Sequence, residues 1–246
     1  MNKIWNNRLI GLSLVLSSIM IYYIQVVLFH DPRNTLYYLF QDLAFLPLQV
    51  FIVTAILERI LNARQKSEIR RKMNVVISAF YSEVGIQALS AMTECVQNVE
   101  GVKGILNVST SWKEEDFKTA IKDINSFQYE IQSENADLEL LNRFLLEKRP
   151  FMLSLFENTN LFEHDTFTDM LWAVFHVTEE LDSRDTLVSL PPKDLEHLSI
   201  DIKRAYHFLI VEWLYYMNHL KKEYPYLFSL AVRKSPFNEN GSVIIN

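Results

Sequence analysis

The chain has 246 residues, one cysteine and a formal net charge of −6. A single cysteine excludes an internal disulfide and fits a reducing compartment. Residues 1–72 carry +5 and residues 73–246 carry −11, so the second part would repel a phosphate backbone and we expect no nucleic-acid binding.

Two long apolar runs near the start of the chain predict a membrane hairpin. Residues 9–29 contain no charged side chain, and a second apolar run covers residues 36–57. At about 1.5 Å per residue, such helices measure roughly 31–33 Å, enough to cross the hydrocarbon core. A cleaved signal peptide is the alternative for the first run, but the run is long for one and no typical cleavage site follows.

The positions of lysine and arginine predict the orientation of this hairpin. Lys3 and Arg8 precede the first run, and Arg33 lies in the turn between the runs. Six basic residues follow the second run: Arg59, Arg64, Lys66, Arg70, Arg71 and Lys72. Because basic residues accumulate on the cytoplasmic side, we expect both termini to be cytoplasmic in a multi-pass protein of the cell membrane. The six cations are expected to contact lipid headgroups, at about 1 kcal/mol each.

Four polar side chains form a stripe within the apolar runs. Ser18 and Gln25 are seven residues apart on the first run, and Asp42 and Gln49 are seven apart on the second. In an antiparallel hairpin, Gln25 would face Asp42 and Ser18 would face Gln49. An intramembrane carboxylate is costly and usually paired or functional. The stripe either holds the hairpin or an oligomer by hydrogen bonds, or lines a pore formed by several hairpins.

Beyond the membrane hairpin, a 3.6-residue apolar periodicity predicts an all-α fold. The second span has no stop signal, so we expect a stalk helix over residues 58–98, followed by a helical cytoplasmic domain over 99–233 and a tail over 234–246. Ser111 and Glu114 have the spacing of a capping box. Helices are predicted over 112–131, 135–149, 150–157, 165–182, 191–222 and 225–233, with a loop at 100–110.

Three polar residues are candidates for buried groups in the cytoplasmic domain: His176, His207 and Glu212. An unpaired buried carboxylate is costly, so we expect Glu212 to pair with His176 or with an arginine such as Arg204 or Arg233.

A metal or general-base site built from Glu212 with His207 or His197 is the alternative for these groups. The chain has neither an H-E-x-x-H motif nor paired E-x-x-H motifs, so the sequence assigns no metal and no cofactor. It also has no phosphate loop, dinucleotide fingerprint or nucleophile elbow, and Cys95 has no context typical of a nucleophile.

The predicted last helix, residues 225–233, is rich in aromatic side chains and either closes the core or docks a protein partner. The sequence as a whole favours a membrane-tethered, non-enzymatic signalling, scaffold or regulatory module that forms a homo-oligomer. Two alternatives stay open: a small ion-conducting or membrane-permeabilising oligomer gated by its cytoplasmic domain, and a membrane-bound helical metal-dependent enzyme.

Overall fold

The computed structural model describes residues 2–161 and 164–238, and its regular secondary structure is helical. Within these residues, the one β-type contact is an isolated antiparallel bridge between Val96 and Ile131. The predicted all-α fold class is therefore confirmed. The chain divides into two compact units, Met1–Gln65 and Lys66–Asn246.

The first unit is a helical hairpin formed by α1 (Asn2–Phe29) and the first part of α2 (Pro32–Phe80). The connection is shorter than the expected six-residue turn and consists of His30 and Asp31. His30 has a φ of 50°, a left-handed conformation that ends α1. Asp31 then caps α2, because its carboxylate accepts hydrogen bonds from the Asn34 backbone and side-chain amides at 3.1 and 2.6 Å.

The second unit begins within α2, so most of the predicted stalk is part of the helical domain. Met73, Ile77 and Phe80 are buried in the core of this unit. A π-helical turn, Tyr81–Gly85, follows α2. The remaining helices are α3 (Ile86–Thr93), α4 (Val99–Ile105), α5 (Glu114–Ser126), α6 (Leu138–Phe156), α7 (Asp165–Asp182), α8 (Pro192–Glu223) and α9 (Pro225–Arg233).

The loop predicted at residues 100–110 is wrong over its first half, where α4 forms. Gly101 and Gly104 suggested a break, but Val102 and Leu106 are fully buried and their packing outweighs the low helix propensity of glycine. The predicted capping box is also wrong. The Asp116 carboxylate, not Glu114, accepts the hydrogen bond that caps α5, from the backbone amide of Lys113 at 2.5 Å.

The prediction that Pro150 begins a separate helix is wrong as well. A single helix, α6, runs from Leu138 through Pro150, and Asp137 caps its start by accepting from the Leu140 amide at 2.9 Å. Leu145 and Met152, on either side of the proline, are both fully buried. They are seven residues apart and share a helix face, so one packing surface continues across the proline.

Helix α8 is the centre of the second unit and packs against α3, α5, α7 and α9. Tyr206 and Trp213 on α8 are fully buried. The Phe237 ring packs on Trp213 with centroids 5.2 Å apart. The beginning of the predicted tail therefore belongs to the core, while residues 239–246 lie outside the described residues.

Candidate functional site

Asp42 is hydrogen-bonded between the two helices of the hairpin. Its Oδ2 atom accepts a hydrogen bond from the Tyr22 hydroxyl at 3.1 Å. Tyr22 thus takes the place predicted for Gln25, which lies one turn further along the same face of α1. Among the described residues, no hydrogen bond joins Ser18 to Gln49. The structure therefore supplies a partner for the carboxylate inside one hairpin.

The surface of the hairpin is apolar. The 18-residue apolar windows of both helices are 0% buried within the structure, and both helices are long and apolar enough to cross a membrane. The six predicted headgroup-contact residues that follow, Arg59, Arg64, Lys66, Arg70, Arg71 and Lys72, all have exposed side chains. None of them forms an ion pair within the part of the chain that the structure describes.

Glu212 is buried, with 1% of its surface exposed, and within the described residues no ion pair joins it to His176 or Arg204. Its Oε2 atom has no hydrogen-bond partner among the described residues. Burial raises the pKa of Glu212, while the nearby His164 ring and the Thr166 hydroxyl lower it. Burial also raises the pKa of Tyr81, and the charge of Glu212 raises it further. The net effect raises the pKa of Glu212, so burial favours the neutral form of this carboxyl group.

The other two buried polar candidates do not join Glu212. His207 is half-buried, its ring lies against Tyr129 with centroids 5.9 Å apart, and burial lowers its pKa. It lies five residues before Glu212 on the same helix, about 140° away around the axis, so the two side chains point to different faces. His176 is exposed, and it belongs to a separate cluster on α7 and α8.

That cluster consists of two histidines and two carboxylates, contributed by facing helices. His176 and Glu180 are one turn apart on α7. His197 and Asp201 are one turn apart on α8. Because residues four apart share a helix face, each helix presents one imidazole and one carboxylate to the other. We call these four residues the α7–α8 cluster.

The four side chains of the α7–α8 cluster approach one another closely. Asp201 Oδ2 lies 3.4 Å from the Nε2 atoms of both His176 and His197. Glu180 Oε1 lies 3.9 Å from His176 Nε2, and Glu180 Oε2 lies 3.5 Å from His197 Nε2. His176, Glu180 and Asp201 each offer one potential metal-ligand atom, and these three atoms lie within 4.8 Å of one another.

Two arginines bind the outer sides of the carboxylates. Arg204 Nη1 donates to Asp201 Oδ1 at 3.2 Å, and Arg184 Nη1 donates to Glu180 Oε2 at 3.1 Å and to the Glu180 carbonyl oxygen. The Arg184 guanidinium also donates two hydrogen bonds to Asp194, both at 2.8 Å. The hydrogen bond from Arg184 lowers the pKa of Asp194. These contacts fix the orientation of both cluster carboxylates.

Asp201 is the most buried member of the cluster, with 3% of its side chain exposed. Its Oδ2 atom is fully buried and accepts no hydrogen bond from the described residues, although two imidazole nitrogens lie 3.4 Å away. The two histidine rings form the solvent-facing side of the cluster, with 45% of His176 and 52% of His197 exposed. The cluster is therefore open to solvent through its imidazoles and holds an unpartnered carboxylate oxygen at its base.

Sequence reasoning missed this cluster because it searched for the H-E-x-x-H and E-x-x-H patterns. The informative signal is a histidine followed four residues later by a carboxylate, present on two consecutive helices: His176 with Glu180, and His197 with Asp201. The third histidine that sequence analysis considered, His207, lies outside the cluster.

Cys95 and the aromatic last helix fit simpler roles. Cys95 is fully buried, and burial raises its pKa to about 12, which disfavours the nucleophilic thiolate. Helix α9 buries Phe228 and Val232 against the core, while Tyr226 is exposed. A protein partner at α9 stays a prediction.

Comparison with known proteins finds the same two-part organisation. The family described as "MJ1433, N-terminal helical domain" matches residues 2–61, and the one described as "Uncharacterized protein MJ1433, C-terminal helical domain" matches residues 69–233. Uncharacterized protein MJ1433 of Methanocaldococcus jannaschii is 38% identical over 237 residues, which cover 96% of this chain and 95% of that protein. No solved structure matches the chain. The chain therefore belongs to the MJ1433 family, whose members join an N-terminal and a C-terminal helical domain.

Proposed function

We propose that this protein is a membrane-anchored, non-enzymatic signalling, scaffold or regulatory module. The observation that carries the proposal is the exposed apolar surface of α1 and α2. The 18-residue apolar window of each helix is 0% buried within the structure. Apolar area in contact with water costs about 25 cal/mol per Å². Lipid surrounding both helices removes that cost, and the helical backbone satisfies its own hydrogen bonds there.

The distribution of basic residues supports an orientation with both termini in the cytoplasm. Six exposed cations follow the second apolar run, whereas the stretch between the two apolar runs carries only Arg33, in the first turn of α2. With this topology, the six cations would contact anionic headgroups of the inner leaflet. The acidic second unit would then lie in the cytoplasm and be available to a soluble partner.

Cysteine labelling in intact cells tests the anchor and its orientation together. A membrane-impermeant maleimide should modify Asn34→Cys from outside and should reach Asn246→Cys only after permeabilisation. The parent chain is the control, because its one cysteine, Cys95, is fully buried. Modification of both positions without permeabilisation, or of neither, would contradict the topology.

The hydrogen bond from Tyr22 to Asp42 supports a structural role for the intramembrane carboxylate over a pore lining. A carboxylate held inside one hairpin is less available to a water-filled channel between hairpins. We propose that the hairpins associate into a homo-oligomer without forming a conducting path. Bilayers containing the purified protein should show no conductance above that of protein-free bilayers. A conductance abolished by Asp42→Asn, with assembly intact, would establish the pore instead.

A further inference from the structure

We propose that the α7–α8 cluster binds one divalent transition-metal ion through His176, Glu180 and Asp201, with zinc as the best fit. Imidazole nitrogens and carboxylate oxygens are both common zinc ligands. Mg²⁺ and Ca²⁺ prefer all-oxygen sites, and an imidazole ligand disfavours them.

The spacing of the donor atoms matches a shared metal ion. With zinc–ligand distances of about 2.0–2.2 Å, tetrahedral geometry places neighbouring ligand atoms roughly 3.3–3.6 Å apart. In the cluster, Asp201 Oδ2 lies 3.4 Å from His176 Nε2, and His176, Glu180 and Asp201 each place one donor atom within 4.8 Å of the others. The contact of Glu180 Oε1 with His176, at 3.9 Å, is slightly longer.

The same separations are too long for the alternative, in which protonated imidazoles hold the carboxylates by hydrogen bonds. Such N–H···O bonds measure about 2.7–3.2 Å. Asp201 Oδ2 accepts no hydrogen bond from the described residues despite its two imidazole neighbours. A buried carboxylate oxygen without a partner is costly, and a cation bound by this oxygen and by His176 would satisfy it.

Two arginines hydrogen-bond to the cluster carboxylates. Arg204 donates to Asp201 Oδ1, and Arg184 donates to Glu180 Oε2. Each carboxylate therefore keeps one oxygen for the ion, and its orientation is fixed by a hydrogen bond to the other. The positive charges of the two arginines repel a bound cation. The Asp194 carboxylate, which accepts two hydrogen bonds from Arg184, neutralises the charge of that arginine.

The position of the cluster would let one ion join two helices. His176 and Glu180 lie on α7 and Asp201 lies on α8, so the ion would cross-link these helices beside the segment 183–191 that joins them. Metal binding to the folded state would therefore raise the stability of the helical domain.

Zinc titration of the full-length protein in detergent, after chelator treatment, tests the site. We expect one Zn²⁺ per chain by elemental analysis and a higher Tm with Zn²⁺ than with Mg²⁺. Asp201→Asn and His176→Gln should each weaken zinc binding about 10-fold or more. Glu179→Gln and His219→Gln are matched controls on α7 and α8 outside the cluster, and both should bind as the parent does.

A second measurement needs no variant and so does not depend on folding. Diethyl pyrocarbonate should modify His176 in the chelated protein, because its ring is about half exposed. Zn²⁺ should protect His176 and leave His219 unprotected, as read by peptide mass spectrometry. Absence of zinc from the purified protein together with equal modification with and without Zn²⁺ would overturn the proposal. So would zinc binding that both cluster variants retain in full.

Discussion

Glu212 is a residue at which burial and charge conflict. It is 1% exposed, one carboxyl oxygen has no hydrogen-bond partner among the described residues, and its neighbours include Tyr81 and His164. Burial raises its pKa above the ordinary value of 4.5. The folded state therefore binds a proton more tightly than the unfolded state does, and deprotonation of this group favours unfolding.

We predict that Glu212→Gln stabilises the helical domain at neutral pH. The amide resembles the protonated carboxyl, so its gain should be about 1–3 kcal/mol, comparable with the cost of an unsatisfied buried polar group. The contribution of Glu212 to stability is greatest below pH 4.5 and is lost as the pH rises through its folded-state pKa. Thermal unfolding between pH 4 and pH 8 should show a flatter profile for the variant.

Glu115→Gln, at an exposed position on α5, is the matched control for Glu212→Gln and should leave the profile almost unchanged. If the parent protein becomes more stable relative to Glu212→Gln as the pH rises, the Glu212 carboxylate has a positively charged partner and the prediction is wrong.

The Tyr22–Asp42 hydrogen bond gives a second test for single residues. Tyr22→Phe removes the donor and should weaken the hairpin by about 0.6–2 kcal/mol, whereas Asp42→Asn keeps an acceptor oxygen and should cost less. Tyr23→Phe is the control, because Tyr23 is exposed. Unfolding in mixed micelles measures the difference. Equal effects of Tyr22→Phe and Tyr23→Phe would mean that this bond contributes nothing.

Among the helical elements, the π-helical turn at Tyr81–Gly85 leaves no room for a side chain at Gly85. The extra residue of this turn places the Tyr81 ring against the backbone of Gly85, where an added Cβ would lie 2.5 Å from Tyr81 Cδ1. The ring is held on both sides. Its hydroxyl donates to the Leu209 carbonyl at 2.8 Å, and it stacks on Tyr216 with centroids 5.0 Å apart.

Gly85→Ala should therefore destabilise the helical domain by about 1–3 kcal/mol, as expected when a packed core must accept an additional methyl group. Gly104→Ala on α4 is the comparison, because a Cβ there meets no atom within 4 Å and alanine favours helix by about 0.5–1 kcal/mol. Chemical denaturation of both variants should show opposite signs. A neutral Gly85→Ala would show that the Tyr81 ring moves aside freely.

At the scale of the whole molecule, the boundary between the two units gives the clearest test. The structure divides at Gln65, and the two family matches end at residue 61 and resume at residue 69. The end of α2 nonetheless supplies Met73, Ile77 and Phe80 to the core of the second unit.

A fragment of residues 66–246 should fold cooperatively in water, because it keeps its whole core. A fragment of residues 99–246 should not, because it lacks the buried large side chains of α2, the π-helical turn and α3, each worth about 2–5 kcal/mol. Circular dichroism and thermal unfolding distinguish the two. A cooperative transition for the shorter fragment would show that the core is complete without these three elements.

The sequence by itself determined features that depend on local pattern. Periodicity predicted the all-α class, and start signals placed α7 after His164, α8 at the Pro191–Pro192 pair and α9 at Pro225. The apolar flanks of Glu212 predicted its burial. These features follow from the order of residues along one helix, which sequence carries directly.

Only the tertiary structure decided which distant residues meet. Helix α6 continues through Pro150 because the burial of side chains on both sides of the proline outweighs the lost hydrogen bond. The packing of α1 on α2 makes Tyr22, and not Gln25, the hydrogen-bond donor to Asp42. The tertiary structure also separated His176 from Glu212 and placed it beside Asp201, because the packing of α7 on α8 sets which faces oppose each other. Which side chains of two packed helices contact each other depends on the relative rotation and register of the helices. The packing of the whole core determines both, and no single segment does.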